Sequence, residues 1–147
     1  MRIDLDYFGE LLTIFLDSTK AHIDFNDIKE AGLEVITESK ELSEKFIFHM
    51  QLALDNQLIG NSSGQAFVLE DIGITQTLDG AISICIMPIR LTQKGHDFAA
   101  TLNNKEVIDK LKSEFKDAPF KVIFEGGQKL FQHYMKKKLD TITSEGS

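Results

Sequence analysis

One cysteine, Cys85, is all the sulfur chemistry that this 147-residue chain offers for cross-linking, so no disulfide can form within it. A chain of this length can bury a core without one, and a lone thiol fits a reducing cytoplasm. Tryptophan is absent, and no low-complexity tract or internal repeat is visible. No apolar run approaches the roughly 18 residues that a membrane span requires. The first residues, Met1-Arg2-Ile3-Asp4-Leu5-Asp6, lack the apolar stretch of a secretory leader. A cytoplasmic protein with no membrane partner is therefore expected.

Catalytic patterns are missing too. The histidines, His22, His49, His96 and His133, stand far apart, and none pairs at helical spacing with a ligand-like partner. His96-Asp97 has no nucleophile motif beside it. Gly126-Gly127-Gln128-Lys129 lacks the rest of a phosphate loop, and no dinucleotide fingerprint occurs. The expectation is a non-enzymatic chain with no catalytic residues, no metal and no cofactor.

Basic charge is also scarce: 16 Lys and Arg face 23 Asp and Glu, a net charge of −7. Residues 1–45 hold 11 acidic and 5 basic side chains, residues 46–102 hold 5 and 2, and residues 103–147 hold 7 and 9. Any positive surface must come from the last third.

Hydrophobic periodicity supplies the elements. Leu5, Phe8, Leu12 and Phe15 form one stripe and predict a helix over 4–17, capped by Asp4. Ala21–Phe25 alternates like a short strand. Asn26 or Asp27 can cap a short second helix that stops at Gly32, and 33–36 is ambiguous between strand and loop. Ser43 caps a third helix to about Asp55, with Phe46, Ile47, Met50, Ala53 and Leu54 inward. Asn56 suits the left-handed exit from that helix. Leu58 and Ile59 open a strand, 61–64 is a turn, and Phe67-Val68-Leu69 and 81–87 read as further strands joined near Asp79-Gly80. Pro88 marks an edge or a bulge. Thr92 caps a helix to about Leu102, and Asn103 or Asn104 caps another to Phe115. Phe120, Ile123, Phe124, Phe131, Tyr134 and Met135 make the stripe of a last helix. Gly126-Gly127 either interrupts it or permits a close backbone contact, and Lys136–Lys138 sits at its C-terminal end.

Leu58-Ile59, a hairpin, then Leu91-Thr92-x-x-Gly95-x-x-Phe98 is how winged helix-turn-helix domains often read through the wing. The run Phe48-His49-Met50-Gln51-Leu52, Asn56-Gln57-Leu58-Ile59, Leu91-Thr92-x-x-Gly95-His96-x-Phe98 and Asn103–Ile108 with Lys110 and Lys112 goes further. Across roughly residues 43 to 139 it resembles the bacterial and phage family catalogued as domain of unknown function 2513. Gln57 stands where that family usually has Gly, Asn103-Asn104 where it has an acidic pair, and Ile108 where Trp is common. What the resemblance implies is architecture and a bacterial or phage setting.

The expected fold is thus α+β: a winged helix-turn-helix with an enlarged β-wing in residues 1–102, and a C-terminal helical extension in 103–147 that packs on it or dimerises. Two functions follow. A DNA-binding transcriptional regulator would present Lys45, His49, Gln51 and Asn56 from the third helix to double-stranded DNA, with Arg90 and Lys94 near the wing. Against it stand Glu41, Glu44 and Asp55, and a wing tip without Lys or Arg. The alternative is an acidic protein-interaction module, binding or inhibiting a host protein, on the same third-helix face. Phe48 and Leu52 give that face an apolar character, and His49 reads first as a packing residue among apolar neighbours. Lys105, Lys110, Lys112, Lys116 and Lys121 are the best basic candidates, interleaved with acids as on an ordinary solvated helix. Phe131, Tyr134, Met135 and Leu139 are the candidates for a homodimer contact.

Overall fold

The computed structural model describes residues 1–145. It is an α+β arrangement of six helices and small antiparallel sheets. Helix α1 (Leu5–Asp17) starts where Asp4 accepts a hydrogen bond from the Tyr7 amide, and it buries Leu5, Phe8, Leu11, Leu12 and Phe15. Ala21–Phe25 is not a strand. Only Ile23 pairs, exchanging backbone hydrogen bonds of 2.9 and 2.8 Å with Ile89. Phe25 already belongs to α2 (Phe25–Glu30), which is capped by Asp24 rather than Asn26 or Asp27. The Asp24 and Asp27 carboxylates each take the other's amide, a reciprocal capping box that outcompetes strand pairing here.

After an isolated bridge between Ile36 and Leu42 comes α3 (Glu44–Asp55), capped by Ser43. Its buried face is Phe46, His49, Met50, Ala53 and Leu54, while Ile47 is only half-buried. The left-handed residue at its exit is Gln57, φ 57°, and not Asn56, which keeps φ −102°. Asn56 instead turns its side-chain amide back onto the Leu52 carbonyl at 2.9 Å.

Strand β1 (Ile59–Asn61) is central, with β2 (Gly64–Gln65) on one side and β5 (Ile89–Leu91) on the other. Between β2 and β5 the chain makes a long arm: a 3-10 turn (Leu69–Ile72), then the hairpin of β3 (Ile74–Gln76) and β4 (Ile82–Ile84). Phe67-Val68 is therefore no strand, and the strand in 81–87 is cut to three residues. Asp71 accounts for the first difference. Its carboxylate accepts both the Phe67 and Val68 amides, at 2.8 and 3.2 Å, so those donors are unavailable to a ladder.

Helix α4 (Gln93–Asn103), capped by Thr92, crosses the sheet so closely that a Cβ on Gly95 would lie 2.1 Å from the Leu58 carbonyl oxygen. Helix α5 (Lys105–Glu114) is capped by Asn104. Helix α6 runs unbroken over Phe120–Glu145, so Gly126-Gly127 permits contact instead of interrupting. The Gly127 position faces Thr101 and Leu111. Lys136–Lys138 consequently lies within the helix and not at its end. Val107, Leu111 and Ile123 join the same core as Phe8, Phe46 and Phe98.

Candidate interaction face

The third helix meets solvent through Lys45, Phe48, Gln51, Leu52, Asp55 and Asn56. His49 does not belong to that set: it is fully buried. One ring nitrogen, Nδ1, lies 2.7 Å from the Lys45 carbonyl, and Nε2 accepts the Asp4 amide at 3.0 Å. Tyr7, Phe8 and Phe48 surround the ring at centroid distances of 4.6, 5.5 and 5.0 Å. Burial lowers its proton affinity, and the hydrogen bond at Nδ1 with the nearby Asp4 only partly opposes that. The histidine is a neutral tie between α1 and α3, withdrawn from any ligand.

Several of the basic candidates have partners within the fold. Lys45 Nζ sits 2.8 Å from the Asp4 carboxylate and 4.9 Å above the Tyr7 ring. That ammonium, with the Tyr7 amide, holds the Asp4 carboxyl below its ordinary range. Burial beside the same cluster pushes the Tyr7 phenol up to about 12. Arg90 lies half-buried against the bare backbone of Gly60, its guanidinium donating to the Leu91 carbonyl at 3.2 Å. Lys94 rests 4.8 Å over the Phe124 ring. Of the helical lysines, Lys105 and Lys112 pair with Asp109 and Asp6.

Between its polar residues α3 presents an apolar edge, Phe48 and Leu52. Phe48, Leu52 and Leu54 form one wall of a groove of about 470 Å³, and Phe67, Val68 and Leu69 form the other, with Ile74 in the lining. Its charged lining residues are Asp55 and Glu70. Phe67 and Val68 are 63% and 52% exposed. They are nonetheless held in place: Asp71 takes both their amides, and the Asn61 side chain donates to the Asp71 carbonyl at 2.8 Å. Farther out on the arm, Leu78, Ile82 and Ile86 are exposed as well. No Lys or Arg occurs between Lys45 and Arg90. Sequence reading did not find Phe67 and Val68, because an aromatic beside a β-branched residue signals a strand. The available clue was Asp71, four residues on, placed to cap the turn.

A second concavity, about 890 Å³, opens between α1, α2 and α5. Asp6, Glu10, Asp17, Asp27 and Asp109 line it together with Lys105 and Lys112, so carboxylates outnumber the cations there. At the far end of the molecule, Phe131 and Tyr134 are half-buried, whereas Met135 and Leu139 are exposed. Among the described residues no cluster of His, Cys, Asp and Glu could hold a metal ion, and no helix is long and apolar enough to cross a membrane. No protein-family model, curated protein or solved structure matches the chain.

Proposed function

We propose that this chain is a winged-helix module, related to the bacterial and phage family of domain of unknown function 2513, whose α3–arm face binds protein instead of DNA. Support for the architecture is the order of elements: a helix, a bridging strand at Ile23, two helices, then paired strands β1 and β5 enclosing a long hairpin. In that frame α3 is the recognition helix and the arm is the wing.

One observation carries the functional choice. From Phe46 to Ile89 the chain has no Lys or Arg, and the groove that α3 and the arm build sets apolar walls beside Gln51, Gln76, Asp55 and Glu70. Duplex binding draws its non-specific affinity from phosphate neutralisation, which this face cannot supply. Exposed aromatic and aliphatic side chains beside polar ones suit a protein contact better than a phosphate backbone. Such a module would cover a basic, partly apolar surface on a bacterial or host protein.

The DNA-binding regulator remains the second reading, favoured by the architecture alone, with exposed Gln51 and half-buried Asn56 as base readers. Fluorescence anisotropy with mixed-sequence duplex at about 50 and 200 mM salt separates the two, since phosphate contacts lose most of their affinity over that range. The protein-binding reading expects no complex at either salt. Micromolar binding that collapses at the higher salt would replace it with the regulator.

A further inference from the structure

We propose that the α3–arm groove is filled by the C-terminal turns of α6 from a second copy of the chain, in a reciprocal two-fold dimer. The inference rests on the reading of that groove as a protein-binding face and names its occupant.

The chain itself carries a segment of the right chemistry. Beyond Tyr134, α6 exposes Met135, Leu139 and Ile142, 37%, 58% and 56% accessible. Their spacing of four and three residues sets them on one side of the helix, as the anchors of a helix laid in a groove are set. Lys136 and Lys138 border that stripe on either side, both exposed, with Lys137 on the opposite side of the helix. The groove offers the complement: Phe48, Leu52, Phe67 and Val68 as apolar walls, Asp55 and Glu70 as its charges.

Pairing α6 with α6 serves this segment poorly. It would bring two lysine triplets together, with only Asp140 and Glu145 from each copy's last described turns to offset them. Seating the tail against Asp55 and Glu70 replaces that repulsion by attraction. The tail cannot reach the groove of its own copy. Phe48 shares a small cleft with Lys116, Asp117 and Ala118, just before α6 begins, whereas Tyr134, Met135 and Lys138 flank Asn104–Glu106 at the other end of α5. A rise of 1.5 Å per residue puts Ile142 about 33 Å along the axis from Phe120. In an antiparallel pair of copies each tail meets the other's groove, so the dimer is closed and every contact is made twice. The second contact then forms intramolecularly. Because the Asp71 carboxylate and the Asn61 amide already fix the Phe67–Val68 wall, little ordering is left for binding.

The test is sedimentation equilibrium of the full chain across micromolar concentrations, for the parent, Phe67→Asp and Leu139→Asp. Both sites are well exposed, so the folded protomer survives either change. The parent is expected to be a dimer that weakens with salt. Each variant should raise the dimer dissociation constant at least about tenfold, the loss expected at an interface hot spot. An equimolar mixture of the two variants keeps one intact tail-in-groove contact and should recover part of the association. A parent that stays monomeric overturns the proposal. So does a dimer broken by Leu139→Asp and untouched by Phe67→Asp, which would mean helix-to-helix pairing. A monomer that also ignores duplex DNA leaves the groove a protein-binding face with another occupant. A monomer that binds duplex removes the underlying reading as well.

Discussion

Asp4 donates its backbone amide to Nε2 of His49 at 3.0 Å, joining the cap of α1 to the middle of α3. The acceptor role places the ring proton on Nδ1, where the Lys45 carbonyl receives it at 2.7 Å. Protonation of Nε2 would put a hydrogen where the Asp4 amide already donates, and would charge a buried ring. The tie therefore exists only for the neutral imidazole.

This arrangement predicts a pH dependence of stability with a definite sign. The proton affinity of His49 is lowered in the folded state from the ordinary 6.5, first by burial. The unfolded chain then binds the proton more readily, so stability is intact above pH 6.5 and falls as pH drops toward the depressed folded value. Urea midpoints measured from about pH 8 down to about pH 5, the range in which histidine titrates, should decline for the parent. His49→Gln should lower stability at pH 8 and flatten that decline. An equally steep decline in the variant would assign the titration to another group.

The neighbouring glycines of α6 should respond in opposite directions to alanine. A Cβ at Gly126 meets nothing within 4 Å, so Gly126→Ala should stabilise by about 0.5–1 kcal/mol through helix propensity. At Gly127 the new Cβ would come within 3.0 Å of Thr101 Cγ2 and 3.3 Å of Leu111 Cδ1. Thr101 is buried and cannot retreat, since its hydroxyl donates to the Asp97 carbonyl and accepts from Gln128, both at 2.8 Å. Gly127→Ala should lose about 1–3 kcal/mol, the usual cost of overpacking. Thermal unfolding of the two variants side by side reads the contrast directly.

Asp4 is expected to be the most costly exposed carboxylate of α1. Asp4→Ala removes the cap on the Tyr7 amide and the partner of Lys45. The cap alone is worth about 1 kcal/mol, and the partly exposed ion pair adds little. Chemical denaturation should show a loss near that figure, with Asp4→Asn recovering most of it because an amide oxygen still caps.

The rigidity of the groove wall depends on one side chain. Asp71→Ala frees the Phe67 and Val68 amides, which should then exchange with solvent far faster, while amides of α1 and α4 keep their protection. Hydrogen exchange followed by NMR gives the answer residue by residue. Unchanged exchange at 67 and 68 would mean that packing on Leu69 and Ile72 suffices to hold the wall.

The helices were legible in the sequence because their caps are chemical: Asp4, Ser43, Thr92 and Asn104 each accept the amide three residues on. Gly95 was equally readable, since only a bare Cα fits against the Leu58 carbonyl. Residues 66 to 88 were not. There the local preference of Phe67 and Val68 points to a strand, and a single carboxylate, Asp71, decides otherwise, while the 81–87 run keeps its strand only over Ile82–Ile84. His49 was ambiguous for a related reason. Its position on α3 lies near the boundary between the inner and outer faces, and burial under Tyr7 depends on where α1 docks. The candidate site was thus half visible. Phe48, Gln51 and Leu52 lie on the groove, whereas the opposite wall depends on tertiary folding.

The close approach of α4 to β1 has a consequence for the length of the arm. The Leu58 carbonyl accepts the Thr92 amide at 2.9 Å, and the Thr92 hydroxyl donates to the Gln57 carbonyl at 2.6 Å. Both ends of the excursion are therefore stapled together at its root. Once a loop is closed there, each doubling of its length costs only about 0.6 kcal/mol in closure entropy. Insertions near Leu78, at the exposed hairpin tip, should thus be absorbed with little penalty to the body of the protein. The chain can change the reach and shape of its binding surface by lengthening one segment, leaving every helix where it is.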